Sequence, residues 1–527
     1  MKKIEIFDST LRDGAQGENI NFSAQDKFNI MKALDSFGVD YIEAGNPASN
    51  QKDLDFFKMA STYPLKNAKL VAFGSTRRKD IDVADDANVQ ALASVNVDTV
   101  SVFGKSWDMH VTEIIRTTLE ENLSMITDTI SFFVSKGKKV FFDAEHFFDG
   151  YKANPDYALE VIKTAEKAGA AQVVLCDTNG GCFPDEIYEI TEKAVKVLSI
   201  PVGIHCHNDT ACAVANSLFA IKAGATQVQG TFIGVGERCG NTNLSALIPS
   251  LKLKLNYECA RTESLYELTK TARYIAEVSN VILADNKPYV GKSAFAHKGG
   301  MHVDGVRKNS TSFEHISPDL VGNQRNFLLS EVAGRTVILS KLSEIAPELS
   351  KDSIETKQII DLLKEMEYKG YQYEAAEASF ELLVKKYLGK LDTFFEIDYF
   401  KIIGEKSGLT QNPSSAIVKI KVGDKNEISA DEGDGPVNAI DKALRNALKV
   451  FYPQLDSIHL IDYKVRVMDS NAATAAIVRV LIESTDGEEV WTTVGASSDI
   501  INASVTALCD SIEYKLMKDN VTSGCHN

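Results

Sequence analysis

Two histidines one residue apart, His205 and His207, end an apolar segment, Val202–Cys206. Side chains at positions i and i+2 of a β-strand point to the same face, so the two imidazoles face one point. The first apolar segment of the chain leads into Asp8-Ser9-Thr10-Leu11-Arg12-Asp13-Gly14, where Asp13 offers a carboxylate. Two imidazoles and one carboxylate suit a divalent metal ion and leave positions for a substrate. The pattern predicts a metal-dependent enzyme.

Three neighbouring features add to this chemistry. Arg12 cannot bind a metal, but its guanidinium can stabilise an anion that forms beside one. The glycine-rich segment Gly234–Thr242 allows close backbone approach, and Asn241 within it offers an amide oxygen. His302 follows His297-Lys298-Gly299-Gly300-Met301 on an expected loop, where a histidine is a candidate general base. A single histidine is more often a packed or surface residue, but core packing has little use for two imidazoles on one face.

The elements that position these residues follow an alternating pattern. Eight apolar segments are predicted as strands, with amphipathic helical patterns between them: Ile4–Ser9, Tyr41–Gly45, Lys69–Gly74, Thr99–Phe103, Val140–Ala144, Gln172–Cys176, Val202–Cys206 and Gln227–Phe232. This repeat within about 250 residues is typical of an α/β fold of the (β/α)8 TIM-barrel type. A doubly wound sheet is the alternative, but the first strand–helix turn lacks its glycine spacing. In a barrel, the polar clusters that follow the strands meet at one mouth.

The chain divides into three predicted domains. Residues 1–265 form the catalytic barrel, 266–390 a helical linker subdomain, and 391–520 a duplicated α+β regulatory domain. In the third, strand patterns twice lead into small residues and then a helix, first at Gly433 and Gly435, and again at Gly495 and Ser497. Free backbone N–H groups at such helix starts suit a carboxylate ligand, although ordinary capping is more common, and the duplication favours a domain that senses a small molecule.

Composition narrows the class of protein. The chain has 527 residues and a formal net charge of −16, with 57 basic and 73 acidic side chains. It has no basic surplus for a nucleic acid or an acidic membrane surface, and no apolar segment long enough to span a bilayer. The first residues already follow a strand pattern, and the eight cysteines form no C-x-x-C pair. We therefore expect a cytoplasmic protein with reduced thiols that binds neither nucleic acid nor membrane.

Three motifs together resemble the DRE-type metal-dependent barrel enzymes: Asp8–Gln16, His205–Asp209 and Gly234–Thr242. Nearly the whole chain is similar to the synthases of that superfamily that condense acetyl-CoA with a 2-keto acid, namely 2-isopropylmalate, homocitrate and citramalate synthases. The C-terminal duplication is similar to the leucine- or isoleucine-binding regulatory domain of this family. Two segments, Phe142–Gly150 and Glu314-His315-Ile316, are most similar to its citramalate-forming group.

The resemblance implies a metal site and an anion site. The metal ligands would be Asp13, His205, His207 and Asn241, and the ion would be Mn, Mg, Zn or Co. Arg12 would bind the keto-acid oxygen and its developing negative charge.

The resemblance also implies the residues that handle substrate and protons. Glu145 and His302 would be catalytic, with His302 as the base toward acetyl-CoA, and Thr178 and Gln16 would contact the keto acid. Many members of the family carry a tyrosine shortly after that histidine, and Phe313 stands at its place here. Any role of the tyrosine hydroxyl is therefore missing or supplied elsewhere.

Substrates and regulation follow from the same resemblance. It implies acetyl-CoA and pyruvate as substrates, a place in isoleucine biosynthesis, isoleucine as an inhibitor bound by the third domain, and a homodimer. Leucine is the alternative effector, and a bulkier 2-keto acid is the alternative substrate. Two other functions stay open: a lyase or aldolase on the same barrel, and a metabolite-binding regulator with a degenerate barrel.

Overall fold

The computed structural model describes residues 2–261, 263–327, 339, 341–342, 345–350, 353–404, 414–468, 476–487 and 489–521. The chain forms two compact units, residues 1–295 with 315–325 and residues 296–314 with 326–527. Among the described residues, none of the helices combines the length and the apolar character that crossing a membrane requires.

The first unit contains a closed barrel of eight parallel strands in chain order, and the predicted TIM-barrel fold is confirmed. The strands are β1 Glu5–Asp8, β2 Tyr41–Glu43, β3 Lys69–Ser75, β4 Thr99–Lys105, β5 Lys139–Glu145, β6 Gln172–Asp177, β7 Val202–Cys206 and β8 Gln227–Gly230. Strand β1 closes the ring by pairing with β8, with Asp8 opposite Gly230. Helices cover the outside of the sheet, so the strands are rich in apolar residues, but they also carry buried polar residues such as Ser101, Asp143 and Gln229.

The helices of this unit lie between and after the strands. They are α1 Ala24–Phe37, α2 Gln51–Ala60, α3 Ala87–Ser94, α4 Leu119–Ser135, α5 Phe147–Ala153, α6 Pro155–Lys167, α7 Pro184–Val197, α8 Ala213–Ala223, α9 Leu244–Pro249 and α10 Leu268–Val278. Local signals set their ends: Ser23 and Asp26 form a capping box at the start of α1, and Gly38 ends it with φ +90°.

One helical segment is shorter than its pattern suggests. The apolar periodicity predicts a helix over residues 111–135, but Arg116 adopts a left-handed conformation with φ +53°. The chain makes a π-turn at His110–Ile114, and α4 then starts at Leu119 with Thr118 as its cap. The side chain of Thr118 accepts a hydrogen bond from the backbone of Glu121, which makes a better helix start than an uninterrupted turn through Arg116.

The second unit begins with short elements and helices. They are β9 Ala296–His297, α11 Gly300–Lys308, β10 Asn326–Phe327, α12 Ile354–Tyr368 and α13 Glu377–Tyr387. The sequence pattern predicts one helical stretch from Ile354 to Tyr387, but the chain turns at Gly370, where φ is +100°. That backbone conformation ends α12 and favours glycine.

The rest of the second unit repeats one motif twice, which confirms the predicted duplication. The first copy is β11 Glu396–Gly404, β12 Ser414–Val422, β13 Lys425–Gly433 and α14 Pro436–Lys449; the second is β14 His459–Val467, β15 Val478–Thr485, β16 Val490–Ser497 and α15 Ile500–Lys518. Each copy is an antiparallel sheet followed by a helix. The first strand of each copy even carries a register shift near its start, between Ile397 and Tyr399 and between Leu460 and Asp462.

Candidate active site

The turn after β1 places Asp13 at the barrel mouth. The backbone N–H groups of Arg12, Asp13 and Gly14 all donate to the carbonyl of Ser9, at 3.1, 2.9 and 3.0 Å. Asp8 accepts from the backbone and the hydroxyl of Thr10, at 2.9 and 3.1 Å. The polar residues of this segment therefore hold the turn closed and fix the direction in which the Asp13 carboxylate points.

Asp13, His205 and His207 lie together, although almost two hundred residues of sequence separate the carboxylate from the imidazoles. The Oδ2 atom of Asp13 is 3.2 Å from His205 Nε2 and 3.8 Å from His207 Nε2. One potential ligand atom from each residue lies within 4.8 Å of the others, and all three residues are buried. The i, i+2 spacing on β7 thus aims both rings at the carboxylate, as the sequence predicts.

Asn241 completes this cluster. Its amide Nδ2 lies 3.2 Å from Asp13 Oδ2 and 3.4 Å from His205 Nε2. The glycine-rich segment positions it, because a β-bridge joins Asn241 to His207. A Cβ atom at Gly236 would come within 1.8 Å of Asn241 Oδ1, so this glycine leaves room for the amide.

The cluster fits a divalent cation. Among the described residues, the buried atoms Asp13 Oδ1, His207 Nδ1 and Asn241 Oδ1 have no hydrogen-bond partner. Buried polar atoms normally have one, so a group of partnerless atoms around two imidazoles and a carboxylate points to a ligand. The amide of Asn241 can turn about its terminal bond to present Oδ1 instead of Nδ2. Mixed nitrogen and oxygen ligands suit Mn, Zn, Co and Mg.

The charges of the cluster are arranged for cation binding. Burial alone would raise the pKa of Asp13, but the Arg12 guanidinium and the two imidazoles hold that pKa well below its usual range. Burial and the neighbouring His205 lower the pKa of His207 to about 4. Burial opposes the protonated form of His205, but the hydrogen bond to Asp13 outweighs it and raises the pKa. At neutral pH the cluster thus presents an ionised carboxylate and a neutral His207.

Arg12 is held beside the cluster by a carboxylate that the sequence motifs do not reveal. Its Nε donates to Glu43 Oε2 at 2.7 Å, and its Nη1 lies 3.3 Å from Asp13 Oδ2. The guanidinium carbon lies 3.9 Å from the centroid of the Phe73 ring. Burial would lower the pKa of Arg12, but the charges of Glu43 and Asp13 raise it, so the group is a permanent cation.

A cavity of about 240 Å³ opens onto the cluster. Its walls include Arg12, Asp13, Gln16, Phe73, Phe103, Asp143, Glu145, Cys176, Thr178, His205, His207 and Glu237. The predicted substrate-binding residues Gln16 and Thr178 and the predicted catalytic residue Glu145 therefore line the same cavity as the metal cluster. Phe73 and Phe103 form a stacked pair on one wall, with ring centroids 5.2 Å apart.

Glu145 ends β5 and forms an ion pair with Lys105 at the end of β4. The next residue, His146, takes a left-handed conformation with φ +56°, which turns the chain sharply into α5. The backbone N–H of His146 donates to Thr178 Oγ1 at 2.9 Å, so the strand end that carries Glu145 is tied to Thr178. Backbone strain of this kind is concentrated at functional sites.

His302 belongs to the second unit, and the structure corrects its expected setting. It lies in α11, Gly300–Lys308, rather than on a loop, because the backbone N–H of Val303 already donates to Gly299. Its ring stacks on Phe313, with centroids 4.1 Å apart and planes 21° apart. Phe313 thus orients the imidazole by stacking, although it cannot donate a hydrogen bond as a tyrosine would.

Three of the four residues predicted to bind an amino acid lie in strands rather than in turns. Gly433 ends β13, and Gly495 and Ser497 lie within β16. A Cβ atom at Gly433 would come within 2.5 Å of the Ala439 nitrogen, and one at Gly495 within 2.0 Å of the Ala503 oxygen. The absence of a side chain at these two glycines therefore allows β13 to pack closely against α14, and β16 against α15.

Gly435 lies in the turn before α14, as the sequence predicts. It is the N-cap of the helix, and a Cβ atom there would meet nothing within 4 Å. The start of α15 is capped differently, because the side chain of Asp499 accepts from the backbone of Ile501. The two helix starts of the duplication are thus not equivalent.

Sequence reasoning gave no role to four residues that organise the site, Glu43, Lys105, Asp143 and Gln229, although it placed Glu43 and Asp143 in polar clusters at the barrel mouth. Three of them lie in the last three residues of β2, β4 and β5, and Gln229 lies one residue before the end of β8. Position at a strand end was the available signal, because those ends form the mouth of a barrel. Position at a strand end does not predict which polar residues contact each other. The ion pair between Glu43 and Arg12 is seen only in the closed barrel.

Three family models match consecutive parts of the chain. An HMGL-like model matches residues 3–275, a homocitrate synthase post-HMGL domain-like model matches 289–370, and a LeuA allosteric (dimerisation) domain model matches 374–516.

Similar proteins cover the whole length of the chain. An (R)-citramalate synthase of Aquifex aeolicus is 51% identical over 98% of this chain and 98% of its own length. An (R)-citramalate synthase of Geobacter sulfurreducens is 49% identical over 99% of both chains. A probable 2-isopropylmalate synthase of Methanopyrus kandleri is 34% identical over 96% of this chain and 97% of its own length.

Proposed function

The chain belongs to the HMGL-like family, within the group of (R)-citramalate and 2-isopropylmalate synthases, and on that premise we propose that it is an (R)-citramalate synthase. It condenses acetyl-CoA with pyruvate and hydrolyses the thioester to give citramalate and CoA, an acyl transfer that serves isoleucine biosynthesis. The observation that carries this proposal is the buried cluster of Asp13, His205 and His207 at a cavity that also contains Arg12.

The metal site of the proposed enzyme consists of Asp13, His205, His207 and Asn241. A divalent ion bound there supplies Lewis acidity toward the ketone of the keto acid. Arg12 lies 3.3 Å from Asp13, so its guanidinium is positioned to bind the ketone oxygen and the negative charge that develops on it.

The proton transfers fall to Glu145 and His302. We assign His302 as the base that takes a proton from the methyl group of acetyl-CoA, with Glu145 assisting at the cavity wall. The resulting carbanion attacks the ketone carbon, and the alkoxide takes up a proton. Water then adds to the thioester carbonyl, the C–S bond breaks, and CoA leaves as a thiol after protonation. Thr178 and Gln16 line the cavity and contact the keto acid.

The aromatic pair on the cavity wall supports a small keto acid. Phe73 stacks beneath Arg12 and against Phe103, so the wall nearest the guanidinium consists of two large rings. A methyl group fits against such a wall more readily than a branched or carboxylated side chain. Overpacking an apolar wall costs about 1–3 kcal/mol, which corresponds to a factor of about 5 to 150 in specificity.

The test is a thiol-release assay with purified protein, acetyl-CoA and Mn²⁺. Pyruvate, 2-oxobutyrate, 2-oxoisovalerate and 2-oxoglutarate are compared side by side, with a chelator control. We expect pyruvate to give the highest kcat/KM and the chelator to abolish the rate. Preference for 2-oxoisovalerate or 2-oxoglutarate would replace the proposal by the 2-isopropylmalate or homocitrate reaction, and no CoA release with any of the four would refute the synthase.

We further propose that the duplicated region binds isoleucine and inhibits the enzyme, and that the protein is a cytoplasmic homodimer. The match to a LeuA allosteric (dimerisation) domain supports an allosteric role of this region and the dimer. The described cysteines are all free, as reducing conditions require. Isoleucine and leucine are titrated separately against the pyruvate-dependent rate, and the mass in solution is measured by light scattering. Equal rates with and without either amino acid would refute the regulation, and a monomer would refute the dimer.

A further inference from the structure

A chain of hydrogen bonds runs from the candidate metal ligand His205 into the interior of the barrel. The second ring nitrogen of His205, Nδ1, lies 3.1 Å from Gln229 Oε1. The Nε2 atom of Gln229 donates to Asp143 Oδ1 at 3.1 Å. The other oxygen of Asp143 accepts from the hydroxyl of Ser101 at 2.8 Å. These four residues come from β7, β8, β5 and β4, and each is at most 5% exposed.

The donors and acceptors of this chain fix its direction. An ionised carboxylate only accepts hydrogen bonds, so Gln229 must turn its NH2 group toward Asp143. The carbonyl oxygen of Gln229 then faces His205 and can only accept. Nδ1 of His205 must therefore carry a proton. When the ring is neutral, its lone pair is on Nε2, the nitrogen that faces Asp13 and the cation site.

We propose that Asp143 acts through Gln229 to select the metal-binding tautomer of His205, so that both are positioning residues for the cation site. The inference rests on the metal site of the proposed function and deepens it. It gives a role to Asp143 and Gln229, two buried polar residues that take no part in the proposed reaction steps. Partners of this kind behind a metal-bound histidine typically contribute a factor of 10 to 100 to metal affinity.

Replacing Asp143 by Asn gives the sharpest consequence. An amide at position 143 can donate to Gln229 Oε1 while its own oxygen still accepts from Ser101. Gln229 then turns its NH2 group toward His205, whose Nδ1 must accept, and the ring proton moves to Nε2. A protonated Nε2 cannot bind a cation, so D143N favours the tautomer that does not bind, although Gln229 and His205 are both still present.

The experiment measures Mn²⁺ binding to the full-length protein at pH 8 without substrate, by the EPR signal of the free ion. The variants are Q229M, D143N and the double variant, and Q227M is the matched control. Gln227 lies two residues earlier on β8, is fully buried, and bonds to Gln172 and Glu5 rather than to His205. We expect about 10- to 100-fold weaker binding for Q229M and D143N, and wild-type binding for Q227M.

The double variant separates tautomer selection from the loss of a negative charge near the cation. If Asp143 acts through Gln229, the double variant binds Mn²⁺ within about twofold of Q229M, because contacts that form one network are not additive. If Asp143 acts only by its charge, the two losses multiply, and that result overturns the proposal. Wild-type affinity in Q229M also overturns it. Absence of Mn²⁺ binding in the wild-type protein refutes the metal site itself, and this inference with it.

A second measurement covers the case in which Q229M does not fold. D143N has almost the shape of the wild-type residue, and 15N-histidine NMR of metal-free protein at pH 8 reports which ring nitrogen is protonated. We expect the His205 proton on Nδ1 in the wild-type protein and on Nε2 in D143N. The same tautomer in both proteins would refute the proposal.

Discussion

The barrel mouth and the C-terminal duplication differ in the kind of polar group that they bury. At the mouth, Asp8, Asp13, Glu43 and Asp143 are carboxyl groups with 0–4% exposure, packed around one arginine and two histidines. In the duplication, most of the fully buried polar groups are hydroxyls, such as Ser484, Thr493 and Ser504, and each is hydrogen-bonded to a neighbouring element. Buried charge lowers stability unless it is paired, whereas hydroxyls bonded to the backbone cost little. The paired carboxyl groups of the mouth are what the proposed active site requires, whereas the buried hydroxyls of the duplication hold its elements together.

This contrast predicts where a substitution changes rate and where it changes stability. The two tryptophans of the chain, Trp107 and Trp491, lie one in each unit, so the fluorescence of W107F or W491F variants reports on the unfolding of one unit at a time.

The largest effect is expected from His205→Ala. Losing a metal ligand removes several kcal/mol of transition-state stabilisation, so pyruvate-dependent CoA release should fall by at least about 10³-fold. The denaturant midpoint reported by Trp107 should stay close to that of the wild-type protein. The matched control is His459→Ala in the exposed start of β14, which should keep the wild-type rate. Substantial activity in His205→Ala would refute the metal assignment.

A smaller effect, on stability rather than rate, is expected from Gly495→Ala. The added Cβ would lie 2.0 Å from the Ala503 oxygen, so strand β16 and helix α15 must separate. We expect a loss of about 1–3 kcal/mol in the unfolding transition reported by Trp491. Gly435→Ala is the matched control, since its φ of −168° is open to any residue and nothing lies within 4 Å. Equal stability of the two variants would contradict the packing role of Gly495.

The smallest effect concerns pH and Asp510 in α15. Burial raises the pKa of Asp510 to about 6, and Ser379 donates to its carboxylate at 2.6 Å. Between pH 4 and 6 the folded protein holds a proton there that the unfolded chain releases, so this group makes stability fall as pH rises through that range. Asp510→Asn should remove that dependence and raise the melting midpoint at pH 7 by about 2–4 °C.

The control for this experiment is Asp424→Asn, which changes an exposed carboxylate in the turn between β12 and β13. Melting curves of both variants and the wild-type protein at pH 5 and 7 separate the contribution of Asp510 from those of other groups. A midpoint difference between Asp510→Asn and wild type that is the same at both pH values would contradict the prediction.

The features that the sequence predicted are those that local geometry decides. The pairing of His205 with His207 follows from the two-residue period of a strand, and the barrel follows from eight apolar segments in alternation with helices. The break at Gly370 had a local signal, because glycine is the residue that tolerates a positive φ at a helix end. Arg116 is not a residue type that favours a positive φ, so the sequence does not predict the left-handed turn that it makes.

The features that the sequence did not predict depend on closure of the barrel. Glu43 meets Arg12, and Phe73 meets Phe103, only because neighbouring strands bring their ends together. The sequence pattern predicts no strand over residues 425–433, because Lys425–Gly433 consists mainly of charged and small residues and has little apolar content. It forms a strand because β12 provides its partner and α14 covers it, which is a tertiary effect that outweighs intrinsic propensity.

The ring closure between β1 and β8 bears on how the protein is made. Asp13 and Asn241 touch each other across 228 positions of sequence. Contacts between distant positions form slowly, because the loss of chain entropy comes before any gain from the contact. A ribosome-bound chain that has emerged just past β7, to His207, holds both imidazoles and the carboxylate but lacks β8, which closes the barrel and brings them together. Under the proposed function, cation binding would therefore come late in folding, and bound ion would show that the barrel has closed.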